Sequence, residues 1–262
     1  MEMVRQELKT DQPPAGLILG VIPARGGSKR VPRKNLVFLL GKPLISYTIE
    51  AALGSKLLTR ILVSTEDEEI RETALQYGAD APFVRPAELA ADSAKTSDVA
   101  IHALLSAEKM DGRQYSYVCV LEPTSPLRTS QDIDSALALF QKNADSVIGL
   151  TPVEFGNPGR LRVIRKGRVA RLFPEQSRPG QPAQQLEPVY MPGGGIFAAQ
   201  RDLLVGQKTL CGPRQAGFIL PRDRGLDIDT PEDIALAEFF LQRGAQEAII
   251  PTATPRREKA SR

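Results

Sequence analysis

The feature that most constrains the fold is an apolar run, Leu17 to Ile22, that leads straight into V-I-P-A-R-G-G-S-K-R-V-P-R-K-N, Val21 to Asn35. A run of that length is a buried strand, and Gly26, Gly27, Pro23 and Pro32 turn the chain out of it into a loop. Arg25, Lys29, Arg30, Arg33 and Lys34 crowd that loop. Glycine lets backbone N–H groups approach anionic oxygens, and the cations neutralise what the backbone cannot, so the loop suits a polyphosphate. The spacing is neither G-x-x-x-x-G-K-[ST] nor G-x-G-x-x-G, which excludes a Walker loop and the dinucleotide-binding turn. The competing reading is a solvated basic turn, and five cations with two glycines at a strand end weigh against it.

The chain beyond the loop alternates between two periods. Helical spacing predicts helices over Leu44–Leu53, with Pro43 at the first helical position and Gly54 closing it, and over Glu66–Tyr77, stopped by Gly78. Further helices are expected over Thr96–Met110, capped by Thr96 or Ser97, over Asp132–Gln141 and over Pro231–Gln242. Strands are expected at Arg60–Thr65, Ala81–Arg85, Tyr117–Leu121, Asp145–Leu150, Gly194–Ala199, Gly217–Leu220 and Leu226–Asp229. Alternation of this kind predicts an α/β fold, a mostly parallel central sheet with helices on both faces, whose ligands bind at the carboxyl ends of the strands. The pattern breaks down after Thr151, where an inserted segment of about 151–190 carries a hairpin turning at Lys166-Gly167. Residues 1–15, polar and ending near Pro13-Pro14, and 249–262 are expected to be disordered extensions of a domain spanning 16–248.

Composition narrows the function classes. With 262 residues, 42% of them hydrophobic, the chain can bury one sizeable core. Its 34 basic and 31 acidic residues leave a net charge of only +3, which argues against a dedicated nucleic-acid binder. Cys119 and Cys211 form no CxxC pair, and the single histidine, His102, excludes a zinc cluster and a histidine-based triad. Any metal should be oxygen-ligated, and His102 is expected to be structural. No apolar run reaches membrane-spanning length, and Met1 to Asp11 lacks the apolar core of a signal peptide, so a cytoplasmic protein is expected.

Three further stretches carry chemistry. R-P-A-E-L-A-A-D-S-A-K-T-S-D-V, Arg85 to Val99, leads into a helix and by composition alone is a surface loop. In L-E-P-T-S-P-L-R, Leu121 to Arg128, two prolines fix a turn at a strand end, leaving Thr124, Ser125 and Arg128 to face the crevice and Ser130 to cap the next helix. In L-D-I-D-T-P-E-D-I, Leu226 to Ile234, Leu226 and Ile228 alternate with Asp227 and Asp229, which share one side. Thr230, Pro231 and Asp233 make a helix start. Two carboxylates on one face repel unless a cation sits between them or one is protonated.

Together these motifs resemble the CMP-sialic acid synthetases, cytidylyltransferases that load acidic nonulosonates onto CMP. Their signature, close to A-R-x-x-S-K-x-x-x-x-K-N, is matched by Ala24, Arg25, Ser28, Lys29, Lys34 and Asn35, and the resemblance runs from about Leu17 to Phe240. It implies that Arg25, Lys29 and Lys34 hold the triphosphate of CTP and that Arg85, the Ala94 backbone and Thr96 bind cytosine and ribose. It also implies Mg²⁺ on Asp227 and Asp229, with in-line attack of a sugar hydroxyl on the α-phosphorus releasing pyrophosphate. Arg25, Lys34 and Asp229 are the catalytic candidates, Asp229 or a metal-bound hydroxide taking the proton. The inserted segment corresponds to a dimerisation subdomain, so a homodimer is implied.

The departures gather on the acceptor side. The family has L-Q-P-T-S-P-L-R where this chain has Glu122, and P-R-Q-Q-L-P followed by P-N-G-x-I-Y where this chain keeps Gln184 but has Ala183, Gly193 and Phe197. The missing arginine would grip the sugar's carboxylate. The expected acceptor is therefore an acidic nonulosonate other than N-acetylneuraminate, such as legionaminate or pseudaminate, its carboxylate met by Arg160 or Arg178. Two alternatives remain: a cytidylyltransferase for 3-deoxyoctulosonate, whose loop normally follows its lysine with proline where this chain has Asn35, and a non-catalytic nucleotide-binding module, which would not need Lys34 and the aspartate pair.

Overall fold

The computed structural model describes residues 14–153, 156–176 and 180–249; most of the expected terminal extensions, and Arg178, lie outside these residues. Strand β1, Ile18–Pro23, decides the layering. Successive side chains of a strand point to opposite faces. Ile18 and Ile22 accordingly pack in one apolar cluster, and Leu19 and Val21 in another.

In chain order there follow β2 (Phe38–Leu39), β3 (Lys42–Pro43), α1 (Leu44–Leu53), β4 (Arg60–Ser64), α2 (Glu68–Gln76), α3 (Thr96–Asp111), β5 (Tyr117–Leu121) and α4 (Ser130–Leu137). Then come β6 (Ser146–Pro152), the hairpin β7 (Arg162–Arg165) and β8 (Arg168–Arg171), β9 (Tyr190–Gln200), α5 (Arg201–Gln207), β10 (Gln215–Ile219) and α6 (Pro231–Ile249). Helices α1, α2 and α4 cover the Ile18 face of the sheet through Ile45, Ile49, Ile70 and Ile133. Helices α3 and α5 cover the other face through Ala100, Leu104, Leu203 and Leu204.

The main sheet runs β10-β6-β9-β5-β1-β4. β1 pairs in parallel with β4 on one side and β5 on the other, and β9 runs antiparallel to both β5 and β6. The sheet is thus mostly parallel, as expected, with one reversed strand. Because the chain leaves β1 first for one neighbour and later for the other, the carboxyl end of β1 lies at the switch point where such sheets open a crevice.

Several local expectations are corrected. Ala81–Arg85 makes only isolated bridges, Leu62 to Asp80 and Thr65 to Val84, because Pro82 and Pro86 supply no N–H to a ladder. Leu226–Asp229 is irregular, held by the Ile228 N–H donating to the Thr124 carbonyl at 2.7 Å, yet Leu226 and Ile228 do turn inward. Asp67 caps α2 by accepting the Ile70 N–H at 3.1 Å. No side chain caps α3, where Lys95 rather than Thr96 or Ser97 holds the N-cap position. Thr129, not Ser130, caps α4 in a reciprocal pair with Asp132. Pro43 sits one residue ahead of α1, and Gly54 closes it. The β7–β8 hairpin turns at Lys166 (φ 49°) and Gly167 (φ 73°), a left-handed pair suited to a tight hairpin.

Candidate active site

A cleft of about 360 Å³ opens beyond the carboxyl end of β1. Four stretches of the chain wall it: the basic loop through Arg25, Ser28, Lys34 and Asn35; the stretch after β4 through Arg85, Asp92, Ala94 and Thr96; the turn after β5 through Glu122 and Thr124; and Asp229. Residues far apart in sequence thus meet around one space.

The loop is shaped from within. The Ala24 N–H donates to the Ser64 carbonyl at 3.0 Å, carrying the β1–β4 pairing one step further, and the Gly26 N–H donates to Glu66 Oε1 at 2.7 Å. Buried Asn35 closes the loop by donating to the Arg25 carbonyl at 2.9 Å. Arg33, in the left-handed region at φ 55°, turns away from the cleft to Asp67 and to Glu69 Oε2 at 2.5 Å. Its hydrogen bond holds the Asp67 carboxyl below the usual carboxylate range. Arg25 and Lys29 both reach Asp92, at 2.7 and 2.5 Å. Lys34 Nζ donates to the Ile228 carbonyl at 2.7 Å and to Asp229 Oδ1 at 3.0 Å, and Arg30 reaches Asp229 Oδ2 at 3.1 Å.

The two aspartates differ. Asp229 is open to the cleft, its side chain 56% exposed, whereas Asp227 accepts a hydrogen bond from the Ser125 hydroxyl. Burial pushes the Asp227 carboxyl upward, Ser125 and Arg128 oppose that, and the Asp229 charge adds to it. Burial does the same to Glu122, reinforced by Asp227. These donors are all oxygens, of the hard type that suits Mg²⁺. Among the described residues no group of three or more acidic, histidine or cysteine side chains could cage an ion. A cation that keeps waters and substrate phosphates needs only one or two carboxylates; Asp229 lines the cleft, while Asp227 lines a neighbouring space of about 560 Å³ that shares Asp229.

Arg128 does not face the crevice. Its guanidinium is buried and donates to the carbonyls of Gly194, Gly195 (3.2 Å) and Glu122 (3.2 Å) and to Thr48 Oγ1 (2.8 Å), which ties the 122–128 turn to β9. Burial draws its pKa down to about 10. Gly195, left-handed at φ 55°, permits that approach, since a Cβ there would lie 2.9 Å from the Glu122 Cβ. Arg85 lines the cleft but spends its terminal nitrogens on the carbonyls of Ser64 and Leu89 (3.3 Å), and burial lowers its pKa. It therefore also props the loop that carries Ala94 and Thr96. His102 packs edge-on against Phe83, centroids 5.1 Å apart.

Thr96 and Glu122 also line a second pocket of about 370 Å³, with Phe197, Lys95 and Lys208. Arg160 and Gln184 are exposed on the inserted segment and line neither space. Sequence reasoning missed Glu66, Asp67 and Asp92. The S-T-E-D run ending β4 was the available signal for the first two, but it speaks only once β4 is known to lie beside β1.

A cationic, glycine-bearing loop at the switch point of a mostly parallel sheet, facing the Asp229 carboxylate, defines an α/β nucleotidyltransferase. The chain belongs to the cytidylyltransferase family, whose sequence model, described as Cytidylyltransferase, matches residues 19–244. It is 35% identical to the pseudaminic acid cytidylyltransferase of Campylobacter jejuni over 88% of this chain and 99% of that one. It is 34% identical to the CMP-N,N'-diacetyllegionaminic acid synthase of Legionella pneumophila, covering 89% of this chain and 99% of the relative. The N-acylneuraminate cytidylyltransferase of Escherichia coli is 32% identical over 88% of this chain and 54% of its own length. In fold, the chain is similar to a CMP:2-keto-3-deoxy-manno-octonic acid synthetase solved with CTP, with a TM-score of 0.64 at 19% identity, covering 87% of this chain and 99% of that one. Among the described residues no helix is long and apolar enough to cross a membrane.

Proposed function

We propose that this cytidylyltransferase transfers CMP from CTP to the anomeric hydroxyl of an acidic nonulosonate, releasing pyrophosphate, as a Mg²⁺-dependent cytoplasmic homodimer. The observation that carries the reading is the convergence of Arg25, Ser28, Lys34, Arg85, Thr96 and Asp229 on one cleft. Similarity to the pseudaminic and legionaminic acid enzymes along nearly their whole length supports the acceptor class.

The chemistry asks little covalent work of the protein. Arg25, Lys29 and the loop N–H groups would bind the β- and γ-phosphates, while Lys34, held between the Ile228 carbonyl and Asp229, neutralises charge that builds on the transferring phosphoryl group. Asp92, now paired with Arg25 and Lys29, would give up both cations to the triphosphate. Thr96 and the Ala94 backbone offer cytosine polar partners that a wrong base would leave unpaired. Asp227 and Asp229 would hold Mg²⁺, which when bound offsets phosphate charge. Asp229, exposed and beside Lys34, is the residue best placed to accept the hydroxyl proton.

Thermal unfolding tests the base assignment. Stabilisation should be clear with CTP and Mg²⁺ and weak with ATP or UTP, because only a ligand of the native state raises its stability. Equal shifts with all three nucleotides would remove the cytidylyl reading. Pyrophosphate release across N-acetylneuraminate, legionaminate, pseudaminate and 3-deoxyoctulosonate then tests the acceptor; the highest kcat/KM for 3-deoxyoctulosonate would overturn it.

A further inference from the structure

In-line transfer brings the acceptor hydroxyl against the α-phosphorus, so the acceptor must occupy a space that opens onto the nucleotide cleft. Two neighbouring spaces share residues with that cleft. The larger, about 560 Å³, shares Asp229 and is lined as well by Asp227 and Asp233 against one arginine, Arg222. Two of these carboxylates are the ones proposed to hold Mg²⁺, so this space serves the ion rather than the sugar's carboxylate. The other, about 370 Å³, shares Thr96 and Glu122 and falls within the usual range for small-molecule sites.

That second space carries cations instead. Lys95, just ahead of α3, and Lys208, just after α5, both line it, and neither is paired with a carboxylate among the described residues. Its one acid is Glu122, against two cations. Phe197 supplies an apolar wall. Lys208 also stands in the left-handed region at φ 52°, just after α5, where glycine or asparagine is the usual occupant. The turn it begins is fixed by the Cys211 N–H donating to Thr209 Oγ1 at 3.0 Å.

Resting on the acceptor class proposed above, we infer that Lys208 and Lys95 bind the carboxylate of the acidic sugar in the pocket behind Glu122. They take the part expected of Arg160; Arg178 lies outside the described residues. Arg160 is exposed on the inserted segment and lines neither space, so it cannot make that contact within one chain without movement of the segment. Two ammonium groups grip a carboxylate as point charges, without the bidentate geometry of arginine, so the pocket should tolerate variation around the acid.

The test is steady-state pyrophosphate release with saturating CTP and Mg²⁺, varying the preferred nonulosonate and, in parallel, its C1 methyl ester. Lys208→Ala and Lys95→Ala should each raise the KM for the acid about tenfold to a hundredfold, the range expected for loss of a charged hydrogen bond. The KM for CTP should not change, and against the ester the variants should differ little from the parent. Lys208→Arg should recover most of the loss, and Lys208→Gln, which keeps the size, should not. Unchanged acceptor KM in both alanine variants, or a rise confined to Arg160→Ala, overturns the assignment while leaving the cytidylyltransferase reading intact. Absence of turnover by the parent enzyme with every nonulosonate overturns the acceptor class, and this assignment with it.

Discussion

On the basic loop beside the candidate cleft, Arg25, Lys29, Arg30, Arg33 and Lys34 each reach a carboxylate of the same chain. The β7–β8 hairpin is the opposite case: Ile164 and Val169, directly opposite each other across the ladder, are 74% and 69% exposed. In the first region Asp92, Asp67 and Asp229 of the same polypeptide pre-arrange the cations. The second puts an apolar pair into water, an arrangement that gains free energy only when something covers it. A self-contained charge network is what a site for a small anion needs, and an uncovered apolar strip is what the proposed dimer needs.

The contrast is broken most severely by removing charge from the cleft. Asp227→Asn, Asp229→Asn and Lys34→Ala should each lower kcat for pyrophosphate release by about two to four orders of magnitude, since each acts on charge that develops in the transition state. Circular dichroism should show all three folded, and Asp227→Asn can gain stability by relieving the buried charge. Near-normal turnover in both aspartate variants would make the pair structural.

On the hairpin, Ile164→Asp combined with Val169→Asp should convert a homodimer to monomer. Burying each side chain contributes about 1.5–3 kcal/mol, so losing two weakens association by at least about a hundredfold. Sedimentation at micromolar concentration reads this directly. A native chain that is monomeric there, or a double variant that stays dimeric, removes the dimer from the proposal or this hairpin from its interface.

The same contrast explains what could be read from the sequence. The β1 strand, its basic loop, the helical stretches and the Lys166-Gly167 turn were legible because each is dictated locally, by side-chain period or by residues that alone tolerate a given backbone. The reversed direction of β9 was not, because a strand's alternation is the same whichever way it runs. The expected strand at 81–85 failed on Pro82, which removes a ladder donor. Arg128 was read as facing the crevice, whereas carbonyls of Gly194 and Gly195, some seventy positions away in sequence, draw it inward. Asp92 and Glu66 carry no local signal, because their partners on the loop become neighbours only once the sheet is assembled. What the cleft is made of was legible, and which charges compensate which was not.

The smallest expected effect concerns Glu122, the acid that stands where a neutral glutamine was expected from the resemblance. Burial first, and the Asp227 charge second, raise its pKa above the ordinary value of 4.5. The sign follows from linkage. A carboxyl whose folded pKa exceeds its unfolded one holds its proton more tightly when folded, so it costs nothing below about 4.5 and becomes progressively destabilising as pH rises through the folded value. Glu122→Gln removes that cost and keeps the shape. At pH 7 the variant should be more stable by on the order of 1 kcal/mol, a gain of about 2–4 °C in Tm for a domain of this size, and the gain should vanish near pH 4. Melting curves across that range decide it. A Tm gain that persists unchanged to pH 4 would trace the effect to packing, and a loss at pH 7 would mean that ionised Glu122 makes contacts that repay its burial.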